Sequence, residues 1–271
     1  MDQPSSTLAS RCVAIGLGIS GRVERLPCRE KVKKFPHPHL GPYDQDRMRK
    51  HIHREAEIYR RLPKGHDRLI HMFEFIVDGD KPTIILEYMP NGDLGEFLSS
   101  STASIPQRLQ WVLDAAEAVR LVHDHGVIHS DIRPQNFLVD KEFRLRLIDF
   151  SGSAIDGGPP LVLESGPFFL PRSLEGNCST VLSDLFALGS SIYTIMTGKQ
   201  PYAELDDDEV ELRSTRGEFP LVDKVVCGDV ISRCWMCRFD SAQEVYTAVK
   251  AEIEDLVKLG RFALSDFDLK E

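Results

Sequence analysis

The chain has 271 residues of ordinary globular composition, 42% hydrophobic and 28% charged, so it can form one large domain or two closely packed lobes. Its net charge of −9 gives no electrostatic support to nucleic-acid binding. No apolar stretch is long enough to span a bilayer, and Met1 to Arg11 lack the hydrophobic core of a signal peptide. We therefore expect an intracellular protein without membrane insertion, in the cytoplasm, with the nucleus left open.

The first ninety residues are predicted to be mainly strands with one helix. The helix is charged and amphipathic, and its apolar residues share one face: Ile52, Ile58, Tyr59 and Leu62. Two apolar runs flank Gly79 and indicate a hairpin. The predicted elements, in chain order, are a strand entering a glycine-rich turn over 13–21, a strand over 31–35, the helix over 45–62, and hairpin strands over 72–77 and 83–88.

Helices dominate the rest of the chain, and Asn91-Gly92 is the natural junction between the two parts. Apolar residues recur at helical spacing after Pro106, and Gly126 ends that pattern. The predicted helices cover 106–125, 183–197, 207–215, 229–236 and 242–259, with short strands at 127–128, 137–139 and 145–148. The sequence therefore predicts an α+β protein with a β-rich first part and a helix-rich second part.

The polar segment among those short strands carries the most specific chemistry. Asp131 is followed by Asn136 after five residues and by Asp149 after thirteen more. Phosphoryl transfer from ATP needs a carboxylate to orient the attacking hydroxyl and oxygen ligands for Mg²⁺. An H-x-D-x-x-x-x-N segment and a later D-F-G-like turn, here Asp149-Phe150-Ser151, supply both. So many matched positions disfavour the alternative, a polar surface loop between two strands.

A glycine-rich turn near the N-terminus is the second motif. Gly16, Gly18, Gly21 and Val23 form G-x-G-x-x-G-x-V, which lets backbone N–H groups approach phosphates without Cβ clashes. A dinucleotide-binding loop has the same glycines but needs a helix that starts at the third one. Residues 23–27 contain β-branched and proline residues and are a poor helix. The pattern therefore favours a phosphate-binding turn between two strands.

Together, these two motifs resemble the eukaryotic protein kinase family. The resemblance runs from about Cys12 to Leu256, nearly the whole chain. It implies a bilobal α+β fold with a single kinase domain over 12–271, divided into an N-lobe over 12–90 and a C-lobe over 91–271, after a flexible extension over 1–11. It also implies that the protein uses ATP and Mg²⁺ and acts on protein substrates.

The resemblance also assigns roles to individual residues. The family's nucleotide lysine corresponds to Lys34, because strand alternation puts it on the same face as Val32; Lys33 remains the alternative. The ion-pair partner in the next helix corresponds to Glu55. The implied catalytic residues are Asp131, Arg133, Lys34 and Glu55, and the implied metal ligands are Asn136 and Asp149. The implied nucleotide-binding residues are Gly16, Leu17, Gly18, Ser20, Gly21, Val23, Val32, Lys34, Leu86, Glu87, Met89, Asp93 and Leu138.

Three positions depart from the family's pattern. Ser130 replaces the arginine that normally meets a phosphorylated activation loop. The D-F-G-like turn over 149–151, called the metal turn below, ends in Ser151 instead of glycine. A Cβ at this position restricts backbone conformations with positive φ. Arg172 stands where the family has a glutamate that pairs with a later arginine, here Arg238. Because two arginines cannot pair, we expect that bridge to be absent or rebuilt with Glu175.

The resemblance implies structural roles for three further residues. His129 is expected to pack against Phe150 of the metal turn. Asp184 lies in an apolar helix and needs hydrogen-bond donors, which the backbone of the catalytic segment would supply. Ser165 is expected to be a structural hydroxyl near Asp131.

The leading hypothesis is an ATP- and Mg²⁺-dependent protein kinase. Pro134 and Ser165 favour serine/threonine specificity, whereas Arg133 is frequent in tyrosine kinases. A small-molecule phosphotransferase of the aminoglycoside or choline type and a pseudokinase that serves as a binding scaffold stay open. Ser130 removes the main phosphate-binding arginine, and the activation loop, residues 151–171, contains no Thr or Tyr. We therefore expect that phosphorylation of this loop is not required for activity.

Overall fold

The computed structural model describes residues 12–18, 21–27, 30–39, 41–172 and 179–269. The expected extension over 1–11, Ser20 and Glu175 lie outside these ranges. The described residues form two lobes, as the sequence predicts, with a cleft between them. Within those ranges, no helix has both the length and the apolar character that crossing a bilayer requires.

A five-stranded antiparallel sheet in the order β1-β2-β3-β5-β4 forms the first lobe. Gly18 lies opposite Gly21 in the register of β1 and β2. A Cβ at Gly21 would lie 2.7 Å from the carbonyl oxygen of Phe35, so this position requires glycine. The strands are β1 Val13–Gly18, β2 Gly21–Arg25, β3 Lys31–Phe35, β4 Met72–Asp78 and β5 Lys81–Glu87.

Helix α1, Pro42–Arg61, packs against this sheet. It begins three residues before the predicted start, because a proline is well suited to the first helical position. The predicted inner face is buried, including Ile52 and Tyr59. Glu55 lies on the buried side as well and is 1% exposed, which requires a charged or hydrogen-bonding partner.

The second lobe is built around two largely buried helices, α3 and α4. Helix α4 starts with a capping box between Thr180 and Ser183 and ends at Gly198, whose φ is 80°. The helices are α2 Leu94–Ser100, α3 Ile105–Asp124, α4 Val181–Thr197, α5 Asp207–Thr215, α6 Gly228–Trp235 and α7 Ala242–Lys258. Short strands β6 Val127–Ile128 and β9 Ala154–Ile155 pair with each other, as do β7 Phe137–Val139 and β8 Leu145–Leu147.

Helix α2 is the one α-helix of the described residues that the sequence analysis did not predict. It has only seven residues, too few for a clear 3.6-residue pattern. A local signal was present, since the Asp93 side chain accepts a hydrogen bond from the Glu96 N–H over 2.9 Å, and Asp-x-x-Glu is typical of a helix start. Asp93 therefore caps α2 at the edge of the cleft.

Candidate active site

A cavity of about 520 Å³ lies in the cleft between the lobes. Fourteen of the residues that the resemblance implies line it: Gly16, Gly21, Val23, Val32, Lys34, Glu55, Leu86, Glu87, Met89, Asp93, Arg133, Asn136, Leu138 and Asp149. Leu17 and Gly18 lie in β1, but their side chains are outside the description, and Asp131 is not in the cavity lining. The sequence motifs from both lobes thus converge on one cleft.

Lys34 bridges two carboxylates at the centre of this cavity. Its Nζ lies 2.6 Å from Glu55 Oε2 and 2.7 Å from Asp149 Oδ1. The expected ion pair between β3 and α1 is therefore present, and it extends to the metal turn 115 residues away. The side chains of Lys34 and Glu55 are 7% and 1% exposed, so the charges compensate one another in a poorly solvated setting.

Burial and the shared ion pairs shift the pKa values of Lys34, Asp149 and Glu55. Burial opposes the charge on Lys34, but Asp149 and Glu55 together raise its pKa above the ordinary value. Burial opposes the charge on Asp149 too, but Lys34 lowers its pKa well below the ordinary range. Burial of Glu55 outweighs the attraction of Lys34 and raises the pKa of this carboxyl group to about 7. The Asp149 side chain is 33% exposed, and Asp149 is the carboxylate that stays ionised.

Lys33, the alternative nucleotide lysine, faces the other way. Its Nζ pairs with Glu24 Oε2 at 3.0 Å on the opposite side of β3. Exposure alternates along the strand, with Val32 and Lys34 buried and their neighbours half-buried. The geometry thus favours Lys34 over Lys33 as the lysine that faces the cavity.

The segment that joins the lobes presents backbone groups to the cavity. The Glu87 N–H donates to the His71 carbonyl and the Tyr88 N–H to the Glu30 carbonyl, both over 2.9 Å. The Met89 N–H, by contrast, has no hydrogen-bond partner in the described part of the chain, and Met89 lines the cavity. Met89 can therefore offer a donor to the edge of a planar heterocycle.

Asp131 is held by Asn136 beside the cavity. The Asn136 amide nitrogen donates to the Asp131 backbone carbonyl over 2.7 Å and to Asp131 Oδ2 over 2.9 Å. The other oxygen, Oδ1, lies 3.9 Å from Arg133 Nε. Burial raises the pKa of Asp131, and the Arg133 charge opposes that shift. A raised pKa suits a carboxylate that accepts a proton during a reaction.

Asn136 and Asp149 fit a magnesium ion. Mg²⁺ usually takes one or two protein oxygen ligands and fills its other positions with water and phosphate oxygens. The Asn136 amide nitrogen points at Asp131, so its oxygen is directed elsewhere, and both residues line the cavity. Groups of three or more metal-ligating His, Cys, Asp or Glu side chains do not occur among the described residues.

Asp184 fixes the backbone around Asp131. Its side chain is 0% exposed and accepts from the His129 N–H over 2.7 Å and from the Ser130 N–H over 2.9 Å. His123 Nε2 lies 2.9 Å from the same carboxylate. Ser130 has φ 69°, an uncommon value for a non-glycine residue. The hydrogen bonds to Asp184 stabilise this backbone conformation. The expected structural role of Asp184 is confirmed.

The metal turn is held by aromatic packing. The Phe150 ring lies 5.3 Å from the His129 ring and 5.1 Å from the Tyr59 ring of α1, so the expected contact with His129 is confirmed. Asp149 takes the left-handed conformation, with φ 62°. The positive φ thus falls on Asp149, and Ser151 does not share it. The restriction expected from the Ser151 Cβ therefore does not arise in this conformation.

Arg172 has a partner that the sequence analysis did not consider, because its Nη2 lies 2.6 Å from Glu164 Oε2, eight positions earlier. The expected alternative partner, Glu175, lies outside the described residues. Ser165 is exposed, and its hydroxyl makes no hydrogen bond with any described residue. It therefore does not act as a structural hydroxyl beside Asp131.

Comparisons with known proteins agree with this geometry. The family model described as protein kinase domain matches residues 10–258. The chain is 27% identical over 206 residues to Aurora/IPL1-related protein kinase 2 of Caenorhabditis elegans, and the aligned region covers 72% of this chain and 67% of the relative. It is 29% identical over 171 residues to Aurora kinase A-A of Xenopus laevis, with coverage of 62% and 42%. The serine/threonine-protein kinase PknB of Mycolicibacterium smegmatis is 27% identical over 133 residues, with coverage of 46% and 21%. The chain thus spans less than half the length of the last two relatives.

Proposed function

Because this chain belongs to the protein kinase family, we propose that it is an ATP- and Mg²⁺-dependent protein kinase that phosphorylates serine or threonine hydroxyls. The observation that carries the proposal is the buried ion-pair set in which Lys34 meets both Glu55 and Asp149 within 2.7 Å. Burial of charged side chains costs desolvation free energy. Retention of a buried lysine that pairs with two carboxylates therefore favours an active kinase over a pseudokinase.

We propose that the nucleotide binds in the cavity between the lobes and contacts the residues that line it. Val23, Val32, Leu86 and Leu138 supply apolar walls, and the Met89 N–H supplies a donor for the adenine edge. Lys34 supplies the positive charge for the phosphates, held in place by Glu55. Asn136 and Asp149 would hold Mg²⁺, which neutralises phosphate charge when it is bound.

Asp131 is proposed to receive the proton in the transfer step. The substrate hydroxyl oxygen forms a bond to the γ-phosphorus of ATP, while the bond from that phosphorus to the bridging oxygen breaks and ADP leaves. The hydroxyl proton passes to Asp131, whose raised pKa favours acceptance. Arg133 is proposed to contact the transferred phosphoryl group, and its Nε lies 3.9 Å from Asp131 Oδ1.

Serine/threonine specificity is supported by Pro134 and by the similarity to the bacterial serine/threonine-protein kinase PknB. It has no support from Ser165, whose hydroxyl is exposed. Because ATP and its protein substrates meet inside the cell, we propose an intracellular, cytoplasmic place of action.

The test is phosphate transfer by the purified chain with Mg²⁺ and γ-labelled ATP, using peptide mixtures that contain either Ser/Thr or Tyr. Asp131→Asn should lower the rate of transfer by about 10²–10⁴-fold, the contribution of a catalytic acid–base group, and should leave ATP affinity within about twofold. Asp124→Asn, at an exposed position on α3, is the matched control and should retain activity.

Other outcomes would point to the other hypotheses. ATP binding without transfer to any peptide would make the chain a pseudokinase, and transfer to an aminoglycoside or choline alone would make it a small-molecule phosphotransferase. Transfer to tyrosine only would overturn the proposed specificity.

A further inference from the structure

The loop from Glu164 to Arg172 is closed by an ion pair at its two ends. Arg172 Nη2 lies 2.6 Å from Glu164 Oε2, and the Glu164 side chain is 0% exposed. Arg172 Nη1 also donates to the Leu170 carbonyl over 2.9 Å, and the guanidinium lies 4.8 Å from the Phe169 ring centre. One arginine thus fixes both the start and the end of this loop.

The middle of the 164–172 loop is fastened to helix α4. Ser190 Oγ donates to the Pro167 carbonyl over 2.6 Å, and Trp235 Nε1 donates to the same Ser190 oxygen over 2.9 Å. Phe168 is buried, while Ser165 is exposed and Phe169 is half-buried. The loop therefore keeps one side in the core and presents its other side to the surface.

The same helix holds the catalytic segment. Ser191, next to Ser190, donates from Oγ to the carbonyl of Ile132 over 3.3 Å, and Ile132 follows Asp131. Asp184, two turns earlier on α4, holds the backbone of His129 and Ser130. The 164–172 loop and Asp131 are thus fixed side by side on one rigid support, so any displacement of the loop changes the surface beside the proposed base.

Arg172 is the cation that stabilises the charge of Glu164. Burial raises the pKa of Glu164, and the nearby Asp184 acts in the same direction, whereas Arg172 and the Ser183 hydroxyl oppose this shift. Without the arginine, a carboxylate would stand buried beside Asp184 with no cation, and such a group relaxes by movement or by protonation. The ion pair therefore decides whether this end of the loop stays in the core.

We infer that Glu164 and Arg172 are a positioning pair that holds the 164–172 loop as the platform for the acceptor peptide next to Asp131. The inference rests on the proposed kinase activity. Glu164 and Arg172 are eight positions apart, and we call their ion pair the clamp. Arg172 cannot form an ion pair with Arg238, because both side chains are positively charged, and the clamp takes the place of that bridge. Neither residue touches the reacting atoms, so the effect is on peptide binding and not on the nucleotide.

The test is steady-state kinetics of Glu164→Gln, which keeps the shape of the side chain and removes its charge. We expect the KM for an acceptor peptide to rise at least about tenfold, with the KM for ATP within twofold of wild type. Glu209→Gln is the matched control: Glu209 pairs with Arg213 at 3.1 Å on α5, but both side chains are solvent-exposed, so its kinetics should be unchanged. A peptide KM in Glu164→Gln within twofold of wild type would overturn the inference.

A second variant covers the case in which Glu164→Gln does not fold. Glu164→Gln combined with Arg172→Met removes both charges, so no charge is left buried without a partner, and folding is checked by circular dichroism and by ATP affinity. The same selective rise in peptide KM supports the clamp, and a wild-type peptide KM contradicts it. An inactive wild type would refute the proposed kinase function instead, which keeps the two failures distinguishable.

Discussion

Arg54 of helix α1 donates from Nη1 to the carbonyl oxygen of Ser153 over 2.5 Å. One turn earlier, His51 Nδ1 lies 3.0 Å from the Ser151 carbonyl oxygen. Ser151 and Ser153 are themselves 3% and 0% exposed. The helix that carries Glu55 is therefore fastened to the start of the activation loop through backbone acceptors, in a conformation where the Lys34–Glu55 pair is closed.

This fastening supports activity without a phosphorylated activation loop. The hydroxyls of Ser151 and Ser153 are buried. The position at which the family has a phosphate-binding arginine is occupied by Ser130. We expect phosphatase treatment to leave the initial rate within about twofold, measured with excess substrate so that autophosphorylation is negligible. A loss of more than about tenfold, worth ~1.4 kcal/mol in the barrier, that follows a phosphate mapped to residues 151–171 would show this expectation to be wrong.

Removal of the Arg54 contact should lower activity. Arg54→Met keeps the length of the side chain but cannot donate to Ser153, so α1 and Glu55 are free to move away from Lys34. We expect kcat to fall about tenfold, equivalent to ~1.4 kcal/mol. Arg60→Met on an exposed position of the same helix is the control and should retain wild-type kcat. Equal effects of the two substitutions would argue against a specific role of Arg54.

The two neighbouring lysines of β3 should differ in their effect on nucleotide use. Lys34→Met removes the positive charge that Glu55 and Asp149 share, and we expect a loss of about 10²–10³-fold in kcat/KM for ATP, the range for loss of one electrostatic contact in a closed site. Lys33→Met breaks the half-exposed pair with Glu24 and the contact of Nζ with the Phe35 ring, both outside the cavity, and should remain within about twofold of wild type. If Lys33→Met were the damaging substitution, the assignment of Lys34 would be refuted.

The sequence predicts interactions between residues that are close along the chain better than interactions between residues that are far apart. The spacing of Asp131, Asn136 and Asp149 is local, so the catalytic segment could be identified directly, and strand alternation could favour Lys34 over Lys33. The contact from Arg54 to Ser153 joins residues 99 apart, and no local pattern marks it. Contacts of this kind depend on how α1 packs against the metal turn, which only the assembled fold determines.

A local interaction can also be missed when the expected partner is a distant one. Glu164 was not considered for Arg172, because the family's pattern directs attention to Arg238 and to the residues after 172. The burial of Glu164, which forces it to find a cation, is a property of the folded loop. Likewise, helix α2 was missed although Asp93 and Glu96 carry a start signal, because seven residues give too little periodicity.

Glu55 should give the protein a characteristic pH dependence of stability. Its pKa is about 7 in the folded protein and about 4.3 in an unfolded chain. Between these values the native state binds more protons than the unfolded state, so this contribution to stability is fully present below about pH 4.3 and is lost as the pH rises towards 7. Lys34 and Asp149 keep their charges across this window, because their pKa values are shifted away from it in opposite directions.

The measurement is the free energy of unfolding in urea at pH 5 and pH 7 for wild type and for Glu55→Gln, which cannot titrate. The stability of wild type relative to Glu55→Gln should fall by about 1–3 kcal/mol between the two pH values, at ~1.4 kcal/mol for each unit of pKa shift. Glu57→Gln, an exposed position on the same helix, is the control and should give a difference that does not change with pH. Stability is measured instead of rate, because the rate would also depend on the protonation of the proposed base Asp131. A relative stability that is constant or rises towards pH 7 would mean that Glu55 is already fully ionised at pH 5, with Lys34 compensating it despite the competition from Asp149.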